Sequence, residues 1–244
     1  MGKEAVLITG GTKGIGRAAA EALLASPKVG SVWLTFARDR ENAERCAEEL
    51  QSFGKEVHIS ELDITDPQAP KQLKAEMEAE AFLPSYLLFN ANITDRTPLE
   101  ELSETAWARV FQANIHFPTF LIQELLPAMV PGGLIAFTGS LMGIHPHSVS
   151  LAYGVTKSAV HALILNLVKH LEPYQHRVVG IAPGFVDTEW QKTKPQQIRT
   201  NIENKIALHR FAEPEEVGAV FRTILENKYF NGDIITLSGG YSYR

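Results

Sequence analysis

The strongest constraint on this chain is an alternation. Short, almost continuous apolar runs are separated by segments with helical periodicity. Residues 5–9 (AVLIT), 31–36 (SVWLTF), 57–62, 86–90, 134–138, 177–181 and 234–237 read as strands. Residues 15–24, 41–53, a segment after Pro67, 100–128, 152–171 and 213–226 read as helices between them. A strand that is apolar on both faces must be covered on both faces. Repeated strand–helix units meet that need as a parallel sheet between two layers of helices. We therefore expect a doubly wound α/β fold, with a seven-stranded, mostly parallel sheet and one domain spanning residues 1–244. No internal repeat, low-complexity tract or long linker interrupts the pattern. In such folds ligands bind beyond the carboxyl ends of the strands, so chemistry is expected in the residues that follow each strand.

Composition narrows the function classes. The formal net charge is −5 and no basic block is present, which argues against a nucleic-acid binder. Cys46 is the single cysteine, so no disulfide forms within the chain and a reducing compartment is expected. No apolar run approaches the roughly 20 residues of a membrane span, and residues 1–11 (MGKEAVLITGG) have too short an apolar run for a signal peptide. Met1-Gly2 lacks the hydroxyl residue that a myristoylation site needs. The expected location is the cytoplasm.

The first predicted strand runs into Thr9-Gly10-Gly11-Thr12-Lys13-Gly14-Ile15-Gly16. Glycines at a strand-to-helix turn allow positive φ and close approach of backbone to a phosphate. The helix start adds free N–H groups and partial positive charge for a pyrophosphate. A glycine-rich turn with no ligand would look the same in isolation. After the second strand, a fold that prefers NAD shows an acid for the ribose 2′-OH. Here the strand ends Phe36-Ala37-Arg38, with Asp39 one step later. Arg38 and Lys13 together suit a 2′-phosphate, hence NADP(H), with NAD(H) still open; both could equally be surface charges. Asp63, after the third strand, either meets the adenine amino group or caps the next helix.

Thr9-Gly-x-x-x-Gly14-x-Gly16, a later Asn114, then Ser140, Tyr153 and Lys157 resemble the short-chain dehydrogenase/reductase family, over nearly the whole chain. So do residues 182–188 (APGFVDT) and the tail Asn231-Gly232-Asp233 to Ser238-Gly239-Gly240. The resemblance is strongest to the 3-oxoacyl-carrier-protein reductases. It implies a Rossmann fold and a catalytic set of Asn114, Ser140, Tyr153 and Lys157. It also implies a dinucleotide held by Gly10, Thr12, Lys13, Gly14, Ile15, Gly16, Arg38, Asp63, Asn90, Ala91, Tyr153, Lys157, Pro183, Gly184, Val186 and Thr188. It implies no metal. One departure stands out: where the family has Asn-Asn-Ala-Gly, this chain has Phe89-Asn90-Ala91-Asn92. Asparagine tolerates the left-handed backbone region better than most residues, so the loop is expected to survive the change.

The chemistry of the set follows from its spacing. Tyr153 and Lys157 are four residues apart and share one helix face. A free phenol has a pKa near 10, and an adjacent ammonium lowers it, toward the range where general acid–base catalysis works best. Ser140, at a strand end, can hold a substrate oxygen beside Tyr153. The expected reaction is NADPH-dependent reduction of a ketone or 3-oxoacyl substrate, with Tyr153 as general acid. The alternatives are an NAD(H)-dependent alcohol, polyol or steroid dehydrogenase, or a dinucleotide-binding sensor without turnover. Asn114 is followed at four residues by Pro118, which has no N–H for the Asn114 carbonyl. A kink is expected there, either freeing that carbonyl for a relay water or serving packing alone.

His145, His147 and His161 lack acidic or cysteine neighbours, and metal is not expected. Residues 142–150 are expected to line the substrate mouth, and 185–212 to form a substrate loop. If the substrate rides on an acidic carrier protein, Arg17, Arg38 or Arg210 could meet it. The helices at 106–126 and 152–171 could build a homotetramer or homodimer, or simply be core.

Overall fold

A computed structural model of the protein describes residues 3–146 and 150–241. Met1-Gly2, His147 and residues 147–149 of the expected substrate mouth lie outside the described residues. Among the described residues, β1 (Glu4–Thr9), β2 (Val29–Phe36), β3 (Glu56–Glu61), β4 (Tyr86–Phe89), β5 (Leu134–Thr138), β6 (Arg177–Pro183) and β7 (Ile234–Leu237) form one sheet. Its order is β3-β2-β1-β4-β5-β6-β7, and every neighbouring pair is parallel. The order reverses at β1 and β4, which is the switch point where a doubly wound sheet opens a crevice.

Both faces of the sheet are dry. Val6 and Ile8 of β1 pack into one apolar cluster with α1 (Gly14–Leu24) and α9 (Pro214–Glu226). Leu7, between them, points the other way, into a cluster with α3 (Ala69–Ala79), α5 (Phe117–Leu125) and α6 (Leu151–Leu171). The continuous apolar strands thus reflect two-sided burial. Local signals fix the helix starts. Asp39 caps α2 (Arg40–Gln51) by accepting from the Asn42 N–H, and Ser150 caps α6 by accepting from the Tyr153 N–H. Glu213 and Glu216 form a reciprocal capping box across Pro214, the first residue of α9.

Two expectations change. The helix read over 100–128 is broken. A 3₁₀ turn (Leu99–Glu101) is followed by α4 (Glu104–Phe111), a π-turn over Gln112–His116 and then α5. Pro118 cannot donate to Asn114, and the ladder slips so that the Phe117 N–H bonds the Gln112 carbonyl, five residues back. The expected kink is therefore a one-residue bulge. The second concerns α6, which is 21 residues and apolar enough, by length and composition, to cross a bilayer. Its two lysines, Lys157 and Lys169, interrupt the helix's apolar character, so its sequence holds no unbroken apolar run of that length. In this fold α6 packs on β6 and carries buried Thr156, Lys157 and His161 inward, as a core helix does.

Candidate functional site

The site is assembled at the carboxyl ends of β1, β4, β5 and β6. Gly10 and Gly14 take positive φ (63° and 50°), so the turn needs residues without a Cβ at both places. Gly16 is held by contact instead. A Cβ there would stand 2.1 Å from the Gly10 carbonyl oxygen and 2.7 Å from Asn90 Nδ2. Asn90 stitches the strands together: its Nδ2 donates to the Gly10 carbonyl (3.1 Å) and its Oδ1 accepts from Thr138 Oγ1 (3.1 Å). Thr9 Oγ1 accepts from the N–H groups of Asn90 and Ala91 (3.0 and 3.1 Å). A Gly16→Ala substitution should therefore push the turn apart and weaken dinucleotide binding by more than about 10-fold, the scale of one misplaced charge-assisted hydrogen bond. Fluorescence titration with NADPH checks this, and unchanged affinity would refute it.

Three expectations at the adenosine end are corrected or refined. Lys13 Nζ is ion-paired with the Asp39 carboxylate, so it is not a free partner for a 2′-phosphate. Arg38 is exposed and has no ion-pair partner among the described residues. Asp63 does not cap α3, whose N-cap is Gln68. Its Oδ1 accepts from the Thr65 N–H (2.9 Å) and Oγ1 (2.7 Å) in a local turn, and these bonds hold its carboxyl below the usual carboxylate range. Asn92 does not take positive φ. It bonds back to the Asn90 carbonyl through Nδ2 (3.0 Å), and its Oδ1 is buried without a partner. The loop survives by side-chain bonding rather than by a left-handed backbone.

A cavity of about 730 Å³ opens beside this turn, within the range of small-molecule sites. Lys13, Gly14, Ile15, Asn90, Pro183, Gly184, Val186 and Thr188 line one end, and Ser140 and Tyr153 another part. Gly10, Thr12, Gly16, Arg38, Asp63, Ala91, Asn114 and Lys157 are not on its walls. The residues at the glycine turn fit a dinucleotide: the cradle excludes any Cβ, and the buried Gln191 Oε1 on the cavity wall lacks a donor. A groove of similar volume, about 720 Å³, lies at the amino end of the sheet and holds none of the predicted site residues.

Tyr153, Ser140 and Lys157 converge. The Tyr153 hydroxyl is near enough to Ser140 for the serine to oppose the rise in its pKa. Lys157 Nζ lies 5.4 Å from the Tyr153 ring centroid and donates to the Thr138 carbonyl (2.7 Å). Ser140 is itself fixed. Its Oγ accepts from the Met142 N–H (3.1 Å), and its N–H points at His161 Nε2 (3.4 Å). His161 is buried under this turn, where a Cβ on Gly139 would meet its Nε2 at 2.3 Å. Burial, with Lys157 nearby, pushes its pKa down to about 4, so it stays a neutral acceptor. Sequence reasoning weighed His161 only as a metal ligand, and its spacing of four from Lys157 was the signal for this placement.

The expected pKa of Tyr153 is corrected. Burial pushes the phenol up, to about 12, against the lowering effect of Ser140. Burial also pushes Lys157 down to about 7. The ammonium was expected to dominate, but desolvation of both groups outweighs their mutual effect in this pocket.

Behind the pair, Asn114 is buried. Its Oδ1 accepts from the Ile93 N–H (2.9 Å), and its Nδ2 donates to the Ile93 carbonyl (3.0 Å) and Thr156 Oγ1 (3.0 Å). A void of about 10 Å³ is lined by Asn92, Asn114, Thr138 and Lys157, among others. That is about the space one water needs. Arg17 and Arg210 are already committed within the chain, to Glu21 and Glu49 and to Glu216 respectively.

Comparison with known proteins places this geometry. The family described as short chain dehydrogenase matches residues 4–199. The 3-oxoacyl-[acyl-carrier-protein] reductase of Aquifex aeolicus is 28% identical over 239 residues, covering 96% of this chain and 95% of that protein. A tropinone reductase homolog of Arabidopsis thaliana is 29% identical over 243 residues, covering 97% and 91%. Among solved structures, a 3-oxoacyl (acyl-carrier-protein) reductase of Agrobacterium tumefaciens with NADP bound superposes with a TM-score of 0.90 at 25% identity, covering 98% of this chain and 95% of that one.

Proposed function

Because this chain belongs to the short-chain dehydrogenase family, and is thus an oxidoreductase interconverting C=O and CH–OH groups with NAD(P), we propose that it works as an NADPH-dependent reductase of a ketone or 3-oxoacyl substrate. The single observation that carries this reading is the placement of Ser140 and Tyr153 on the cavity beside the glycine turn, with the buried Lys157 amine 5.4 Å from the phenol ring centroid. The bound cofactor supplies hydride to the carbonyl carbon. Ser140 and Tyr153 hydrogen-bond the substrate oxygen, and Tyr153 gives it a proton. A phenol held above its ordinary pKa is fully protonated at neutral pH, as an acid in the reductive direction must be. Lys157, its ammonium held by the Thr138 carbonyl, binds the nicotinamide ribose and passes on the replacement proton. A water in the void beside Asn114 completes that path, with the Asn92 Oδ1 and the Asn114 carbonyl as its acceptors. The remaining contacts follow the glycine turn, Asn90, Ala91 and residues 183–188, with Arg38 at the 2′-phosphate.

Exposed Phe120 on α5 and Leu151, Val155 and Leu165 on α6 support assembly into a homodimer or homotetramer through these helices. The single buried Cys46 suits the cytoplasm. An NAD(H)-dependent dehydrogenase is the second reading, favoured by one observation: an acid, Asp39, stands three residues past the end of β2, at the start of α2, bound to Lys13. The reductase reading also draws on the NADP held by the Agrobacterium protein. Loss of NADPH absorbance across a panel of ketones and 3-oxoacyl thioesters tests the activity. For the cofactor, Arg38→Ala should cost about 10-fold in NADPH affinity, one charge-assisted contact, and little for NADH. An unchanged preference would defeat the assignment to NADP.

A further inference from the structure

The cavity that holds Tyr153 carries four charged side chains on its walls: Lys13, Arg96, Glu189 and Lys194. Lys13 is neutralised by Asp39 and Glu189 by Lys192 (2.9 Å). Arg96 and Lys194 have no carboxylate within ion-pair distance among the described residues. Arg96 sits on the loop after β4, past Asn92. Lys194 sits between the short helix α7 (Glu189–Lys192) and α8 (Gln196–Glu203). The two act on each other: burial first, then the charges of Arg96 and Arg199, hold Lys194 below the ordinary lysine value. Arg199 is spoken for by Asp187 (3.0 Å), which leaves two uncompensated positive charges on one cavity.

Around them the walls are apolar. Trp190, Ile198 and Ile202 face the same space, and the Trp190 ring lies 6.3 Å from that of Tyr153. Two like charges on one cavity repel each other, and Lys194, partly buried where Arg96 is exposed, is also incompletely hydrated. A ligand anion removes that cost, and a carboxylate can accept from both donors at once. The pyrophosphate end of the site is served separately, by the glycine turn and the start of α1.

We infer that the substrate is a ketone bearing its own carboxylate, with Arg96 and Lys194 holding the carboxylate and Trp190, Ile198 and Ile202 covering the carbon chain between it and the carbonyl. The inference rests on the reductase reading and names its substrate class. It makes Arg96 and Lys194 specificity determinants, outside the proton-transfer set.

The test compares straight-chain oxo acids of increasing length with their methyl esters, in NADPH oxidation by the full-length protein. The expected result is a kcat/KM ratio favouring the acid over its ester at one chain length, carried by KM. Arg96→Gln and Lys194→Gln should each lower that ratio by about 10-fold, the scale of one charge-assisted hydrogen bond. Lys194→Glu should turn the preference toward an amine-bearing ketone. Both side chains stand at the cavity rim rather than in the core, and a thermal melt confirms that each variant folds.

Equal use of acid and ester by the wild-type protein would overturn the inference while leaving the reductase reading intact. So would variants that lose NADPH affinity instead of acid preference. A dependence on the two cations seen only with phosphopantetheine thioesters would assign them to the carrier phosphate and also overturn it. Reduction of no carbonyl compound with either cofactor would instead remove the reductase reading beneath it.

Discussion

Tyr153→Phe should cut turnover by at least about 10²-fold, the low end for a lost general acid, while dinucleotide affinity changes far less. The substitution removes one oxygen and leaves the ring, which packs between Trp190 at 6.3 Å and Lys157 at 5.4 Å. Ser140 loses its phenol neighbour but keeps its bonds to the Met142 and His161 positions, so the 138–143 turn should hold its shape. The effect therefore falls on the proton transfer and not on assembly of the cavity. Single-turnover oxidation of NADPH, with affinity measured separately by fluorescence, distinguishes the two. A phenylalanine variant within 10-fold of wild type would show that another group delivers the proton.

Lys157→Met should act in opposite directions on activity and on stability. Turnover should fall at least as far, because the ammonium both orders the ribose and feeds Tyr153. Stability should rise at pH 6. The buried amine titrates near pH 7 in the folded protein, against about 10.4 when free. Below both values it must be charged, and folding then carries a desolvation cost of about 5 kcal/mol. Methionine removes that cost and leaves the Thr138 carbonyl without its donor, a loss of about 1–3 kcal/mol, so the gain wins. The sign with pH follows. Between about pH 7 and 10.4 the unfolded chain binds more protons than the folded one, so wild-type stability rises with pH there. The melting-temperature gap between variant and wild type should be largest at pH 6 and narrower at pH 9. A variant that melts lower at pH 6, or a gap independent of pH, would contradict this account.

Much of the fold was legible because its strands are buried on both faces. A continuous apolar run such as residues 134–138 carries its meaning locally. The misread boundaries have local causes too. β2 begins at Val29 because Val29 pairs with Glu4, while Gly30, which reads as a breaker, is passed over in the register between β1 and β2 and has Lys3 packed against it. The helix over 100–128 was read as continuous because apolar periodicity does not register one slipped hydrogen bond, although Pro118 marked the place. At the site, the order of Gly14, Asn114, Ser140, Tyr153 and Lys157 was legible as a motif. What was not legible depends on partners far away in the chain. Lys13 meets Asp39 across 26 residues, Arg96 and Lys194 reach the cavity from separate loops, and a phenol's pKa is set by how much water the finished pocket admits.

The π-turn at Gln112–His116 also limits how the polypeptide can vary. It lodges one surplus residue between α4 and α5. The Phe117 N–H reaches Gln112, five residues back, where an ordinary turn would reach four, so removing one of those five would restore an ordinary winding and leave α5 facing its layer, with Phe117, Leu121 and Leu125 still buried. A residue removed outside the turn finds no such slack and swings everything downstream by about 100°. The slipped turn is thus the one place where this stretch can absorb a change of length, on condition that Asn114 keeps its hold on Ile93 and Thr156.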